Sequence, residues 1–361
     1  MNTRWQPLAQ RIVHGLGVQP GELIHIQDHA GRLDVLLEIL LAMELRGATP
    51  FPHIAPAEYI EQVWTYAPRD YLRNWDHHRG RWLAQVDRVL VLTAAEPAFA
   101  QVPQDALAAW EQAELRLTRI QEERCLPFLL VAIPTERRAR QLGLTCAALE
   151  ELLLPALDIS VEELTAVIAP VLAVVQGGQQ LTIRTDDRAE LHVHVGDRQW
   201  RGGGVLGGAV SNLPEGSIHT TVVEDQTQGS LWLPRAGDAW NVLLYFQAGR
   251  IVDIEAERGA DALQALFARH TGEPRRIGHL GIGLNPYLRR PIGWTLVDEH
   301  VYGALFISLG ENRYMGGHNE SSLNVDYALP GATLFVDGRV ILADGRVVVP
   351  PSSHPSTDGA T

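Results

Sequence analysis

The chain has 361 residues, 46% apolar and 20% charged, a composition that can fill the cores of two globular domains. Its net charge is -13, with no run of Lys or Arg, which argues against nucleic acid or an anionic membrane as partner and suits a small neutral or cationic ligand. Its two cysteines, Cys125 and Cys146, form neither a CxxC nor a zinc spacing, so the expected setting is a reducing cytoplasm.

In chain order, the N-terminus lacks the apolar core of a signal peptide, and Leu8 to Leu16 read as an amphipathic helix. QPGELIHIQ predicts a turn and a short strand, Glu22 to Gln27. DVLLEILLAMELRGATP predicts a well-buried helix that stops at Gly47 and Pro50. RVLVLTA and PFLLVAIP are continuous apolar runs of the kind found in parallel strands covered on both faces, and a helix, DALAAWEQAELRLTRIQEER, lies between them. This alternation predicts an α/β layer domain, with further helices from Pro134 to about Ala173. The longest apolar stretch, around Val167 to Val175, contains Pro170 and is too short to span a bilayer.

After Gly177-Gly178 the pattern changes to short strands: QLTIRT, ELHVHV, IHTTVV, SLWLP, WNVLLYFQ and RIVDIEAE. A helix, Asp261 to Arg269, precedes the glycine-rich RRIGHLGIGLNP, whose glycines read as a backbone-shaped loop. VDGRVILADGRVVV carries two Asp-Gly turn signals. The expected organisation is an α/β domain over 1–176, a strand-rich α+β domain over 177–349 and a Pro/Ser/Thr-rich tail over 350–361.

Several motifs are weaker than they look. GLGVQPG precedes a strand rather than following one, so it reads as a helix end and turn, not a dinucleotide loop. GGGVLGG lacks the Lys-Ser/Thr of a phosphate loop. His192 and His194 share one strand face, where a polar solvated face is the plainer reading than a metal site. Asp76, His77 and His78 read as a solvated loop. The densest polar cluster runs from His279 through Asp298, Glu299, His300, Glu311, His318, Asn319 and Glu320 to Asn324 and Asp326. Imidazole plus carboxylate is a usual donor pair for a divalent metal, and turn-forming residues are the alternative reading.

NLPEGS, GHLGIGLNP, TLVDEHVYGALFISLGEN, GGHNESSLNVDYAL and VDGRV, in that order, resemble the C-terminal half of the aminopeptidase T family of metallopeptidases. LAQRIVHGLGVQPGELIHI, LRGATP and PTERRARQLGLTCAALEELLLPAL extend the resemblance over nearly the whole chain. It implies an α/β first domain, a second domain holding the site, an enclosed cavity and a homodimer. It also implies a ligand set that this sequence alters. Where the family carries a metal-binding Glu after NLP, this chain has Ser217; where it has a second Glu before LGIG, it has His279. Phe306 and Asn324 stand at two histidine positions, and Asp326 alone is kept. A paired-metal hydrolase needs several carboxylates to hold two cations together, which these residues do not supply.

A related branch, the iron-dependent dihydroxypyridine ring-cleaving dioxygenases, is similar in carrying histidine at the His279 position, as one part of a two-histidine, one-carboxylate set. Here His279 and Asp326 match two of those ligands, with Asn324 or His318 to complete a site for one divalent metal, iron or zinc. Without metal, His279 and Asp326 pair as a base and its orienting partner. Glu320 is a further catalytic candidate; Ser217, Phe306, Tyr314, Asn285 and Trp294 are candidate substrate contacts. The expectation is an enzyme of altered chemistry acting on a small amine, an amino-acid derivative or an N-heteroaromatic ring. The alternatives are a non-catalytic binder of a peptide or small ligand, and an aminopeptidase whose metal has moved to His192, His194 or His219.

Overall fold

A computed structural model describes residues 4–98, 102–187, 189–202 and 212–349. They fall into two compact units, one running to Asp158 and taking back residues 212–215, the other running from Ile159 and resuming at Gly216. The boundary thus lies earlier than the glycine pair at 177–178 suggests. The helix before that pair puts Leu164, Ile168, Val171 and Val175 into the core of the strands that follow it. The glycine run from Gly203 to Gly208 and the tail from Pro350 lie outside the described residues.

The first unit opens with α1 (Gln6–Gly15), whose end and following turn account for GLGVQPG. Then come β1 (Leu23–Asp28), α2 (Leu33–Leu45), β2 (Thr49–Ile54), α3 (Ala57–Tyr66), α4 (Arg69–Arg73), α5 (Asp76–Leu83), β3 (Arg88–Thr93), α6 (Gln104–Glu123), β4 (Phe128–Ala132), α7 (Glu136–Gln141) and α8 (Cys146–Leu157). The strands form a parallel sheet in the order β2-β1-β3-β4. Two of these elements differ in kind from what their residues suggest. Pro50 and Pro52 look like a helix stop, yet they sit in β2, an edge strand, where a missing backbone N–H leaves no ladder bond unmade. Asp76, His77 and His78 open helix α5, held by Arg116, whose guanidinium takes both oxygens of Asp76 at 2.8 and 2.7 Å. Thr135 and Thr145 cap α7 and α8 by accepting the N–H of Arg138 and Ala148.

The second unit starts with α9 (Val161–Val175), capped by Ser160, then β5 (Gln180–Asp186), β6 (Ala189–His194) and β7 (Arg201–Gly202). Residues Asn212–Leu213 (β8) return to the first unit and pair in parallel with β4. The chain continues through β9 (Ser217–Thr221), β10 (Thr227–Ala236), β11 (Ala239–Gln247), β12 (Arg250–Arg258), α10 (Ala260–Arg269), β13 (Ile277–Gly283), α11 (Thr295–Asp298), β14 (Leu305–Gly310), β15 (Asn324–Leu329), β16 (Thr333–Val336), β17 (Arg339–Ala343) and β18 (Arg346–Val347). An eight-stranded sheet runs β12-β11-β10-β6-β5-β16-β17-β18 and a five-stranded one β15-β14-β13-β9-β7; both feed one apolar core. Asp337 and Asp344 adopt left-handed φ of 47° and 50° ahead of their glycines, as the two Asp-Gly signals require of tight hairpin turns. The fold is therefore an α/β first unit with a strand-rich, antiparallel second unit. Among the described residues no helix is long and apolar enough to cross a membrane.

Candidate active site

The glycine-rich stretch around His279 is a strand, not a loop: β13 is buried along its whole length. Its glycines are needed because neighbouring backbones press on it. A Cβ on Gly281 would collide with the Phe306 ring and the Ile218 carbonyl, and one on Gly283 with the Val301 carbonyl.

Antiparallel registry then decides which side chains meet. His279 stands opposite Thr221 on one side and Ser308 on the other, and Ser308 stands opposite Asp326. In the next row Arg201, His219, Gly281 and Phe306 align, and Ser217 faces Gly283. Directly opposed residues point to one face and neighbours along a strand to opposite faces. All these polar positions therefore share one face of the five-stranded sheet. Ile218, Leu280, Ile282, Ile307 and Leu309 turn to the other face and into the core.

On the polar face, His279 Nε2 lies 3.2 Å from Asp326 Oδ1, with side chains only 8% and 21% exposed. The two atoms are in contact but not aligned as a hydrogen bond, and His279 Nδ1 is likewise buried without a partner. Phe306 meets the imidazole edge-on at 6.1 Å between ring centroids and Tyr314 does so at 6.3 Å. Asn324 is occupied: its Oδ1 accepts from Ser308 Oγ at 2.8 Å and its Nδ2 donates to the Tyr314 hydroxyl at 3.3 Å.

His219 belongs to the same field. Burial pushes its pKa down to about 4, and the positive ends of His279, Arg201 and His300 push the same way while Asp326 opposes them. His300 is buried, with Nε2 3.4 Å from a carboxylate oxygen of Glu299 and neither ring nitrogen hydrogen-bonded. In the sequence His219 stands out only as an alternative metal ligand and His300 only as a member of the C-terminal polar cluster. The available signal was parity, because His219 is two residues from Ser217 on a strand and so shares its face. His192 and His194 lie apart from this group on β6 of the eight-stranded sheet, where His192 pairs with Glu190 and Thr182 on a solvated face.

Other candidates serve the fold. Asn285 is fully buried and its Oδ1 accepts from Tyr287 N at 3.0 Å, closing a turn. Trp294 is buried just ahead of α11. Glu320 reaches into solvent and pairs with Arg313 at 3.3 Å instead of joining the imidazole. His318 is exposed, held through its backbone N–H by Glu224 at 2.6 Å. Asn319 of the same segment is a staple, donating to the carbonyls of Gly310 and Glu273.

Whether a metal fits can be judged from these donors. Among the described residues no three of His, Cys, Asp and Glu converge as a metal-holding group. Phe306 offers carbon, Ser217 a neutral hydroxyl, and the Asn324 amide is already engaged. The pair His279 and Asp326 supplies two donors where a stable site takes three or four. The donor set fits neither a metal pair nor a three-ligand iron site.

Comparison with known proteins accords with this fold. Residues 2–349 match the family model described as thermophilic metalloprotease (M29). The structure of wild-type AmpT from Thermus thermophilus superposes with a TM-score of 0.75 at 20% identity, covering 96% of this chain and 99% of that one. The 2,5-dihydroxypyridine dioxygenase from Pseudomonas putida KT2440 does so with a TM-score of 0.63 at 16% identity, covering 97% and 98%. Among curated proteins none matches. With its order of elements and nearly its whole length accounted for, the chain belongs to the thermophilic metalloprotease (M29) family.

Proposed function

We propose that this member is an enzyme of altered chemistry in which His279 moves a proton and Asp326 orients it, acting as a homodimer on a small amine, an amino-acid derivative or an N-heteroaromatic ring. The observation that carries the reading is the 3.2 Å approach of two largely buried, oppositely ionisable groups from different strands of one polar face. With Nε2–H turned to the carboxylate, the lone pair of Nδ1 is left to accept a proton, and the carboxylate stabilises the imidazolium so formed. Catalytic hydrogen bonds in unliganded enzymes commonly tighten when substrate arrives. Tyr314 presents exposed ring surface beside the imidazole, with Phe306 buried behind it, which suits a planar or aliphatic substrate. The same apolar contact favours a second reading, a non-catalytic binder that keeps the face and has lost the chemistry.

The test is turnover of a panel of amino-acid nitroanilides, small amines and hydroxylated pyridines, with oxygen uptake followed in parallel and a chelator arm throughout. A substrate turned over independently of chelator, and slowed about 100-fold or more by His279→Ala and by Asp326→Asn, supports the dyad. Turnover that the chelator abolishes, or that survives His279→Ala, overturns it. Binding without turnover of any member of the panel supports the second reading.

A further inference from the structure

The first unit holds a cavity that the proposed chemistry does not use. It lies beyond the carboxyl ends of the parallel strands and measures about 520 Å³. In the order β2-β1-β3-β4 the chain leaves β1 in one direction and returns to continue from β3 in the other. The loops on either side of that reversal diverge and leave a crevice, the place where open α/β sheets take ligands. All four loops contribute: Ala30 follows β1, Ala57 follows β2, Ala95 follows β3 and Thr135 follows β4. Alanine at three of these positions leaves the space open, since larger side chains would fill it.

The charges around the cavity are mostly spent. Arg32 is held by Asp34 and Glu150, and Arg137 by Glu58 and Glu61. Two groups are not. Among the described residues Arg140 meets no carboxylate, its Nε donating only to the Glu136 carbonyl at 3.3 Å, and the Glu136 carboxylate meets no cation. The first turn of α8 adds backbone donors on the wall: Thr145 accepts from Ala148 and Leu149, whereas the N–H groups of Cys146 and Ala147 are left without an acceptor. His29 adds an acceptor. Its Nδ1 lies 3.1 Å from the Ala55 carbonyl, which can only accept, so Nδ1 carries a hydrogen and, in the neutral ring, Nε2 a lone pair.

We propose that this cavity binds a small zwitterion of the α-amino-acid type, free or as a short peptide. Its carboxylate pairs with Arg140 and the free N–H groups of α8, and its ammonium with Glu136 and His29 Nε2. A bare anion would face the carboxylates of Glu136, Glu58 and Glu150, and a bare cation the three guanidinium groups, so a ligand carrying both charges matches the wall where either alone does not.

The test is titration calorimetry of the full chain against the twenty amino acids and a set of dipeptides, with inorganic phosphate and succinate as anion-only arms. Saturable binding of at least one zwitterion is expected. Arg140→Ala should weaken it by at least about tenfold, and Ala147→Trp, at the exposed rim, should abolish it by occupying the space. His279→Ala should leave it unchanged, which separates this site from the proposed active site. The proposal is overturned if no zwitterion in the panel binds, if phosphate or succinate binds as tightly, or if either Arg140→Ala or Ala147→Trp leaves the affinity unchanged.

Discussion

His25 gives the sharpest test of the electrostatics of the first unit. It lies on β1 at 3% exposure, stacked on Phe51 at 5.6 Å and edge-on to Trp82 at 6.2 Å, and neither ring nitrogen has a hydrogen-bond partner. Burial, reinforced by His53, Arg79 and His29, lowers its pKa from 6.5 to about 4. The folded chain therefore keeps His25 neutral down to about pH 4, while the unfolded chain protonates it below 6.5. Between those values the unfolded state binds more protons, so stability falls as pH falls and is flat above the window. A displacement of ~2.5 pH units at ~1.4 kcal/mol each gives a loss of about 3 kcal/mol by pH 4, and about 2 kcal/mol by pH 5. His25→Leu removes the titration and two unsatisfied nitrogens, so it should equal or exceed the wild type at neutral pH, by about 1 kcal/mol at most. Urea unfolding followed by tryptophan fluorescence at pH 7.5 and pH 5 measures both effects. The reasoning fails if wild type and His25→Leu lose the same stability between the two pH values.

Two further outcomes are expected in the second unit. Burial raises Asp298 from 3.8 to about 6 although its oxygens accept the N–H groups of Ile292 and Gly293 at 2.7 and 2.8 Å. Here the folded state binds the extra proton, so stability falls as pH rises from about 4 to about 6, opposite in sign to His25; Asp298→Asn should remove that slope while costing about 1–3 kcal/mol for the acceptor it loses, measured by the same unfolding series. Placing histidine at two positions of this face, Phe306→His with Asn324→His, should raise zinc retained after dialysis at least about tenfold over the wild type, by elemental analysis; equal retention in both would mean that the donor set is not what limits metal binding here.

What could be read from the sequence depended on how local the signal was. The continuous apolar runs of β3 and β4 and the Asp-Gly turns were legible because each is complete within a few residues. β2 was not, because its prolines are tolerated only through its place at the sheet edge, which is a tertiary fact. The glycines of β13 looked like loop residues for a related reason: they answer to Phe306, Ile218 and Val301, all distant in sequence. At the site, His279 and Asp326 were singled out from a family resemblance and do meet. Glu320 and His318 are near the site in sequence, but the turn at Arg313–Met315, with Glu224 holding the His318 N–H, leaves them at exposed positions. His219 and His300 carry no motif of their own: strand registry brings His219 beside His279, and His300 is felt through its charge on His219.

The five-stranded sheet separates the positions that carry the fold from those that line the candidate site. Its strands alternate, and the two sets of positions answer to different constraints. Leu280, Ile282, Ile307 and Leu309 fill the core, where each buried side chain stabilises the fold by about 1.5–3 kcal/mol and size is tightly restricted. Ser217, His279, Phe306 and Asn324 occupy the other parity. A side chain exchanged there leaves the ladder and the core untouched, and Phe306 packs over Gly281. A family match made through core and topology is therefore insensitive to the residues that set the reaction. Its weight falls on the fold, and the chemistry has to be argued from the pair that this face presents, an imidazole and a carboxylate from strands separated by Ser308.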